Sequence, residues 1–131
     1  ACPDVGFCLV DVRDTAALHV LALEAPADKV RGKRFIASSG PFYRIIDVAR
    51  MLRERLGDQG RKVPTRAMPN WLVRIMALVM PSLRQLLGEL GRTRAVSSAH
   101  AQAVLGWQPR PPEDTAVDCA RSLIERGIVK L

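Results

Sequence analysis

An apolar stretch runs from Val5 to Val12 and, from Val10 on, alternates with polar residues before ending in the charged pair Arg13-Asp14, the pattern of a half-buried strand over 5–13. Helix formers follow, from Ala16-Ala17-Leu18 to Glu24, so a helix is predicted over 15–25. Asp14 stands where a carboxylate can accept hydrogen bonds from the free N–H groups of that helix end. Pro26 stops the helix, Ala27–Lys33 reads as a charged loop, and Arg34-Phe35-Ile36-Ala37 reads as a second strand. After the Ser38-Ser39-Gly40-Pro41 turn, Phe42, Ile45, Ile46, Ala49, Leu52 and Leu56 recur at helical spacing, with Arg44, Asp47, Arg50 and Arg53 opposite. This predicts an amphipathic helix over 42–56, ended by Gly57, and then a short extended segment, Arg61–Arg66.

Trp71–Met80 is almost wholly apolar, broken only by Arg74. The run is shorter than the ~20 residues of a membrane span and reads as a buried helix or one wall of an apolar pocket. Pro81 breaks it, and Ser82 can cap a helix carrying Leu83, Leu86, Leu87 and Leu90. Arg94–Ser97 reads as a short strand. Ser97 or Ser98 caps a small helix that Gly106 stops, and Trp107 packs back on it. Pro109, Pro111 and Pro112 form a connector to a last helix from about Glu113 to Arg126, with Ala116, Ala120, Leu123 and Ile124 inward. Strands alternating with helices place the chain in the α/β class, but about four short strands and about five helices do not make a complete doubly wound nucleotide fold.

The 131 residues support one modest core, and 48% hydrophobic with 25% charged residues is ordinary for a globular protein. The net charge of +7 comes mainly from arginines scattered over several helices without interleaved aromatics, so neither a nucleic acid nor a membrane is expected as a partner. Cys2, Cys8 and Cys119 lack the spacing of a disulfide framework or zinc site and read as reduced thiols of a cytoplasmic protein. His19 and His100 have no local metal-ligand companions, so no metal is expected.

The run Val10-Asp11-Val12-Arg13-Asp14-Thr15-Ala16-Ala17-Leu18-His19 resembles the Val-Asp-Val-Arg-Asp-Val-Ala-x-Ala-His segment of extended short-chain dehydrogenases (the NAD-dependent epimerase/dehydratase family), especially the dihydroflavonol-4-reductase-like branch. Thr15 replaces the usual Val, and Leu18 stands where Ala is common. Gly32–Ala37 is similar to that family's next strand, and Val63-Pro64-Thr65-Arg66 to its next extended segment. Val96-Ser97-Ser98-Ala99-His100-Ala101 and Leu105-Gly106-Trp107-Gln108-Pro109-Arg110 are similar to its Ser-x-Lys-Ala and Leu-Gly-Trp-x-Pro segments, with His100 in place of Lys.

The resemblance implies a single C-terminal, substrate-binding portion over 1–131 that lacks most of the Rossmann sheet. Residues 1–40 would edge the missing nucleotide-binding domain, and 41–131 would form the substrate and lid region. The parent would be an NAD(P)-dependent oxidoreductase acting on a carbonyl or hydroxyl carbon of a small molecule, with NAD or NADP as cofactor. Its phosphate-cradling glycines and catalytic Tyr-x-x-x-Lys are expected upstream of Ala1. Gly57 and Gly60 are followed by Val63, Gly88 and Gly91 by Arg94, and Tyr43 by Asp47 where Lys is needed. A neighbouring carboxylate favours the neutral phenol, so Tyr43 reads as a packing residue. The fragment alone is expected to bind no cofactor, to be inactive and to self-associate through the strand at 5–13 and the apolar side of the 42–56 helix.

Substrate contacts implied on this side are Arg66, whose counterpart in related sugar-nucleotide epimerases helps hold a diphosphate, and Trp71, Ile75 and Met76 as an apolar wall. Arg13 and Asp14 are expected to pair locally or cap the helix. Two other readings remain open at the sequence level: part of a nucleotide-sugar epimerase or dehydratase, and a stand-alone basic binding module without catalysis.

Overall fold

The structure is a computed structural model that describes residues 1–94 and 96–129. It is α/β but mostly helical, a small two-stranded sheet with seven α-helices among the described residues. Strand β1 (Gly6–Cys8) pairs antiparallel with β2 (Phe42–Arg44), with Gly6 opposite Arg44, Phe7 opposite Tyr43 and Cys8 opposite Phe42. Backbone bonds extend this contact at both ends, from Ile45 N to the Val5 oxygen (2.9 Å) and from Ser39 N to the Leu9 oxygen (2.9 Å). Gly6 is required here. A Cβ would collide with the Tyr43 carbonyl oxygen and come within 2.6 Å of the Phe42 ring. On the other side Cys2 bridges Ala67 in parallel, so the N-terminal segment lies between β2 and the loop that leads to residue 70.

The strand predicted over 5–13 is therefore short. Helix α1 (Val12–Glu24) starts earlier than expected, because Asp11 rather than Asp14 is its cap: the Asp11 side chain accepts from Arg13 N at 2.8 Å. Ala27–Val30, expected as loop, forms one helical turn (α2). Phe35 and Ile36 carry no strand among the described residues, and Ile36 is exposed, while Phe35 and Ala37 pack against the core. Phe42, expected on the apolar face of a helix, belongs to β2, so the helix begins only at Ile45 and runs to Arg55 (α3). Gly57, at φ 54°, ends it as predicted and opens a 3-10 turn over 57–60.

Helix α4 (Asn70–Val79) and α5 (Pro81–Leu87) form a hairpin bent at Met80-Pro81. Pro81 itself takes the first position of α5, where its missing N–H costs nothing, and Ser82 is not the cap. The Arg84 side chain folds back and donates from Nε to the Ala77 carbonyl at 3.1 Å, filling one of the open carbonyls at the end of α4. Of the strand predicted over 94–97, Ala95 lies outside the described residues and its neighbours carry no strand. Helix α6 (Ala99–Leu105) ends at Gly106 in the left-handed conformation, φ 64°. Helix α7 (Pro112–Glu125) packs on α3, burying Ala49, Ala116 and Val117. The apolar side of α3 is thus covered, contrary to expectation. An apolar stripe is instead open on α1, where Val12, Val20 and Leu23 are exposed.

The best-formed core joins α1 to α6. Leu18, Ala101 and Trp107 are fully buried there, with Val10, Leu21, Phe35, Ala37 and Leu105 packed around them. His100 stacks on Phe35 with ring centroids 5.1 Å apart.

Candidate functional site

The most constrained polar cluster is assembled from the start of α1 and the loop after α6. Asp11 and Asp14 are both buried. A buried carboxylate is tolerated only where donors surround it. Asp11 receives three bonds from Arg13, from its backbone N (2.8 Å), Nε (2.9 Å) and Nη2 (2.7 Å). Arg110 Nη1 lies 3.8 Å away. These donors, led by the Arg13 side chain, hold the Asp11 carboxyl far below the usual carboxylate range against the opposing effect of burial. The Arg13 guanidinium also reaches Asp118 on α7 at 2.6 Å, and its two carboxylate partners push its pKa further up.

Asp14 performs a different task from the predicted cap. Its carboxylate accepts from the Arg110 backbone N (2.8 Å) and Arg110 Nε (3.0 Å), and its backbone oxygen accepts from Trp107 Nε1 (2.8 Å). Trp107 thus places an apolar ring in the core while its one donor is satisfied, which a buried Trp requires. In this way residues 11–14 and 107–110, almost a hundred positions apart, are fastened together.

Two grooves flank the cluster along α7. One, of about 670 Å³, runs between Asp11, Arg13, Asp118, Cys119, Arg121 and Leu123. The other, of about 420 Å³, lies among Arg55, Arg110, Asp114 and Val117 and shares Asp118 and Arg121 with the first. Arg55 pairs with Asp114 at 2.8 Å across its mouth. These charges bind and orient. Among them, Asp11 is held ionised far from neutral pH, so it cannot exchange protons with a substrate there. Cys2, Cys8 and Cys119 are free thiols, and the described residues hold no group of three or more His, Cys, Asp or Glu arranged for a metal ion.

Tyr43 sits on β2 and donates to Glu113 Oε1 at 2.6 Å. The partner carboxylate is therefore Glu113 of α7 rather than Asp47, as the sequence spacing suggested. That bond, with burial, pushes the phenol up to about 12 and lowers Glu113.

The residues expected to meet substrate lie elsewhere. Arg66 is exposed, and its backbone oxygen accepts from Cys2 N at 2.7 Å. Trp71 and Ile75 face outward from α4, and Met76 is half-buried. They line none of the grooves above; α4 turns only Val73 and Ala77 fully inward. Asp118 and Arg121 carry no local motif and gain their place only because α7 passes the start of α1, where Arg13 reaches Asp118. Arg110 was visible as the end of the Leu-Gly-Trp-Gln-Pro-Arg run, but without its partner Asp14.

No protein-family model and no curated protein matches this chain. The solved structure of gox2253 is among those similar to it. The TM-score is 0.67 and the sequence identity 27%, over 96% of this chain and 39% of that one. The chain therefore spans about 39% of the length of that neighbour.

Proposed function

We propose that this chain is the C-terminal, substrate-side portion of an NAD(P)-dependent oxidoreductase of the extended short-chain dehydrogenase type, acting on a carbonyl or hydroxyl carbon. The observation that carries this reading is the joining of the two segments most similar to that family, Val10–Asp14 and Leu105–Arg110, through Trp107 and Arg110 onto Asp14. In this reading the parent's nucleotide domain supplies the cofactor site and the tyrosine acid/base. The Asp11–Arg13–Asp14–Arg110 cluster fixes the start of α1. The open face of α1 and the 34–37 segment meet the nucleotide domain, and a second copy covers them when that domain is missing.

Reading the coding DNA upstream of Ala1 tests the proposal. An in-frame glycine-rich strand-turn-helix followed by Tyr-x-x-x-Lys is expected, and the longer protein should oxidise NADH or NADPH with a carbonyl substrate. A start signal directly before Ala1 with neither motif overturns it. So does micromolar NAD(P)H affinity of the 131-residue chain in a fluorescence titration. A monodisperse monomer in light scattering removes the self-association.

A further inference from the structure

The sequence places the apolar run 71–80 inside the protein, yet the structure turns half of it outward. Trp71 (63% exposed), Ile75 (53%), Leu78 (74%) and Val79 (83%) follow one another at helical spacing on α4, and Met80 (47%) continues the stripe into the bend before α5. The opposite side, Val73 and Ala77, is already 1% exposed, so α4 has its own core face and a second, open one. A helix apolar all round calls for a second covering.

Charge says what kind. Arg61, Lys62, Arg66, Arg74 and Arg84 lie between Gln59 and Gly88 with no Asp or Glu among them. All five are exposed. Arg74 lies within the stripe itself, where a long stem can rest on apolar surface with its guanidinium at the polar boundary. The flanking carboxylate Glu89 is already neutralised by Arg94 at 2.5 Å. Outward-facing Trp, Leu, Val and Met on a segment whose only charged residues are cations match an anionic membrane surface, with the apolar tip in the acyl boundary and the cations at the headgroups. No helix of the described residues is long and apolar enough to cross a membrane, so the contact is peripheral.

We propose that the α4–α5 hairpin docks this protein onto anionic lipid bilayers. The proposal does not rest on the oxidoreductase reading, since vesicle binding and hydride transfer are measured separately. The test is co-sedimentation of the full chain with vesicles of phosphatidylcholine alone and of phosphatidylcholine mixed with phosphatidylglycerol. Binding is expected on the mixed vesicles, at least tenfold weaker on the neutral ones, and falling with added salt. Trp71 emission should shift to the blue on binding, and Trp71→Phe should abolish the shift, because Trp107 is already buried.

The double substitution Leu78→Glu/Val79→Glu changes only exposed positions and should remove binding with the circular dichroism unchanged. Arg61→Gln/Lys62→Gln should weaken it about 25-fold, at about fivefold per cation near such a surface. Absence of binding to mixed vesicles overturns the proposal, as does binding that Leu78→Glu/Val79→Glu leaves intact. A concentration-dependent dimer abolished by that double substitution overturns it too, and assigns the face to a second copy.

Discussion

Asp14→Ala should destabilise the chain more than its single lost carboxylate suggests. Asp14 accepts from the Arg110 backbone N at 2.8 Å and from Arg110 Nε at 3.0 Å. The two bonds differ in what replaces them. The Arg110 side chain is 36% exposed, so its guanidinium turns to water when Asp14 is removed, and that part is worth up to ~1 kcal/mol. The backbone N–H is part-buried and loses a charged acceptor, a cost of about 1.5–3 kcal/mol. The sum is about 2–4 kcal/mol. For a chain of this size that lowers Tm by about 6–12 °C.

Arg110→Ala keeps the backbone bond and should cost only ~1 kcal/mol. Asp14→Asn keeps an acceptor oxygen and should fall between the two. The assay is urea unfolding followed by circular dichroism, with the three single variants and Asp14→Ala/Arg110→Ala. In the double variant the guanidinium part is counted once, so the coupling energy should be at most ~1 kcal/mol. Asp14→Ala within ~0.5 kcal/mol of the parent, the range of an ordinary surface change, would refute the assignment of Asp14 as the fastening between α1 and the 107–110 loop. Equal losses in Asp14→Ala and Arg110→Ala would refute the division between backbone and side chain.

Tyr43 is the one tyrosine, so its ionisation can be followed cleanly by absorbance. In the folded chain it should titrate at about 12 instead of the ordinary 10.0, and Glu113→Gln should bring it back toward 10. A raised folded pKa on this neutral acid stabilises below pH 10 and is lost as pH rises through 12, so Glu113→Gln should flatten the alkaline limb of the stability curve. Asp11 behaves oppositely: its depressed pKa gives stability that is full above the ordinary value of 3.8 and lost as pH falls below it. Asp11→Asn should therefore lower stability at neutral pH and weaken its fall in acid, and a parallel pair of pH curves would count against the Arg13 bonds. Gly6→Ala should destabilise by about 2 kcal/mol or more in urea unfolding, because the Tyr43 backbone cannot move aside without breaking the ladder; a neutral effect would contradict the β1–β2 register. With a thiol reagent, Cys119 should react fast and the 4% exposed Cys2 only on unfolding.

The pattern of single positions carried much of the local structure. Gly57, Gly106 and Gly127 each stop a helix with positive φ, as their places after apolar repeats imply. The return of Trp107 onto α6 was legible too, because a tryptophan directly after a helix-stopping glycine can fold back on the apolar side of that helix. Boundaries that depend on competition were not. Asp11 and Asp14 are equally good caps by residue type, and the choice fell to Asp11 because Arg110, from a distant loop, occupies Asp14. Likewise Phe42 fits a helical repeat, but pairing with β1 supplies hydrogen bonds that one more helical turn would not.

What the sequence determined by itself is therefore the local and periodic part: where helices run, where they stop, which residues are apolar enough to seek cover, and the charge the chain carries. Which apolar face is covered was decided only by the tertiary structure. Val73 and Trp71 are indistinguishable to a periodicity argument on a helix apolar all round, yet one is buried and the other faces outward. The grooves beside α7 were decided the same way, since Arg13, Asp118 and Arg121 come together only where the start of α1 approaches α7. The physical reason is range. Propensity and capping act within a few residues, whereas burial and ion pairing depend on neighbours that folding brings from anywhere in the chain.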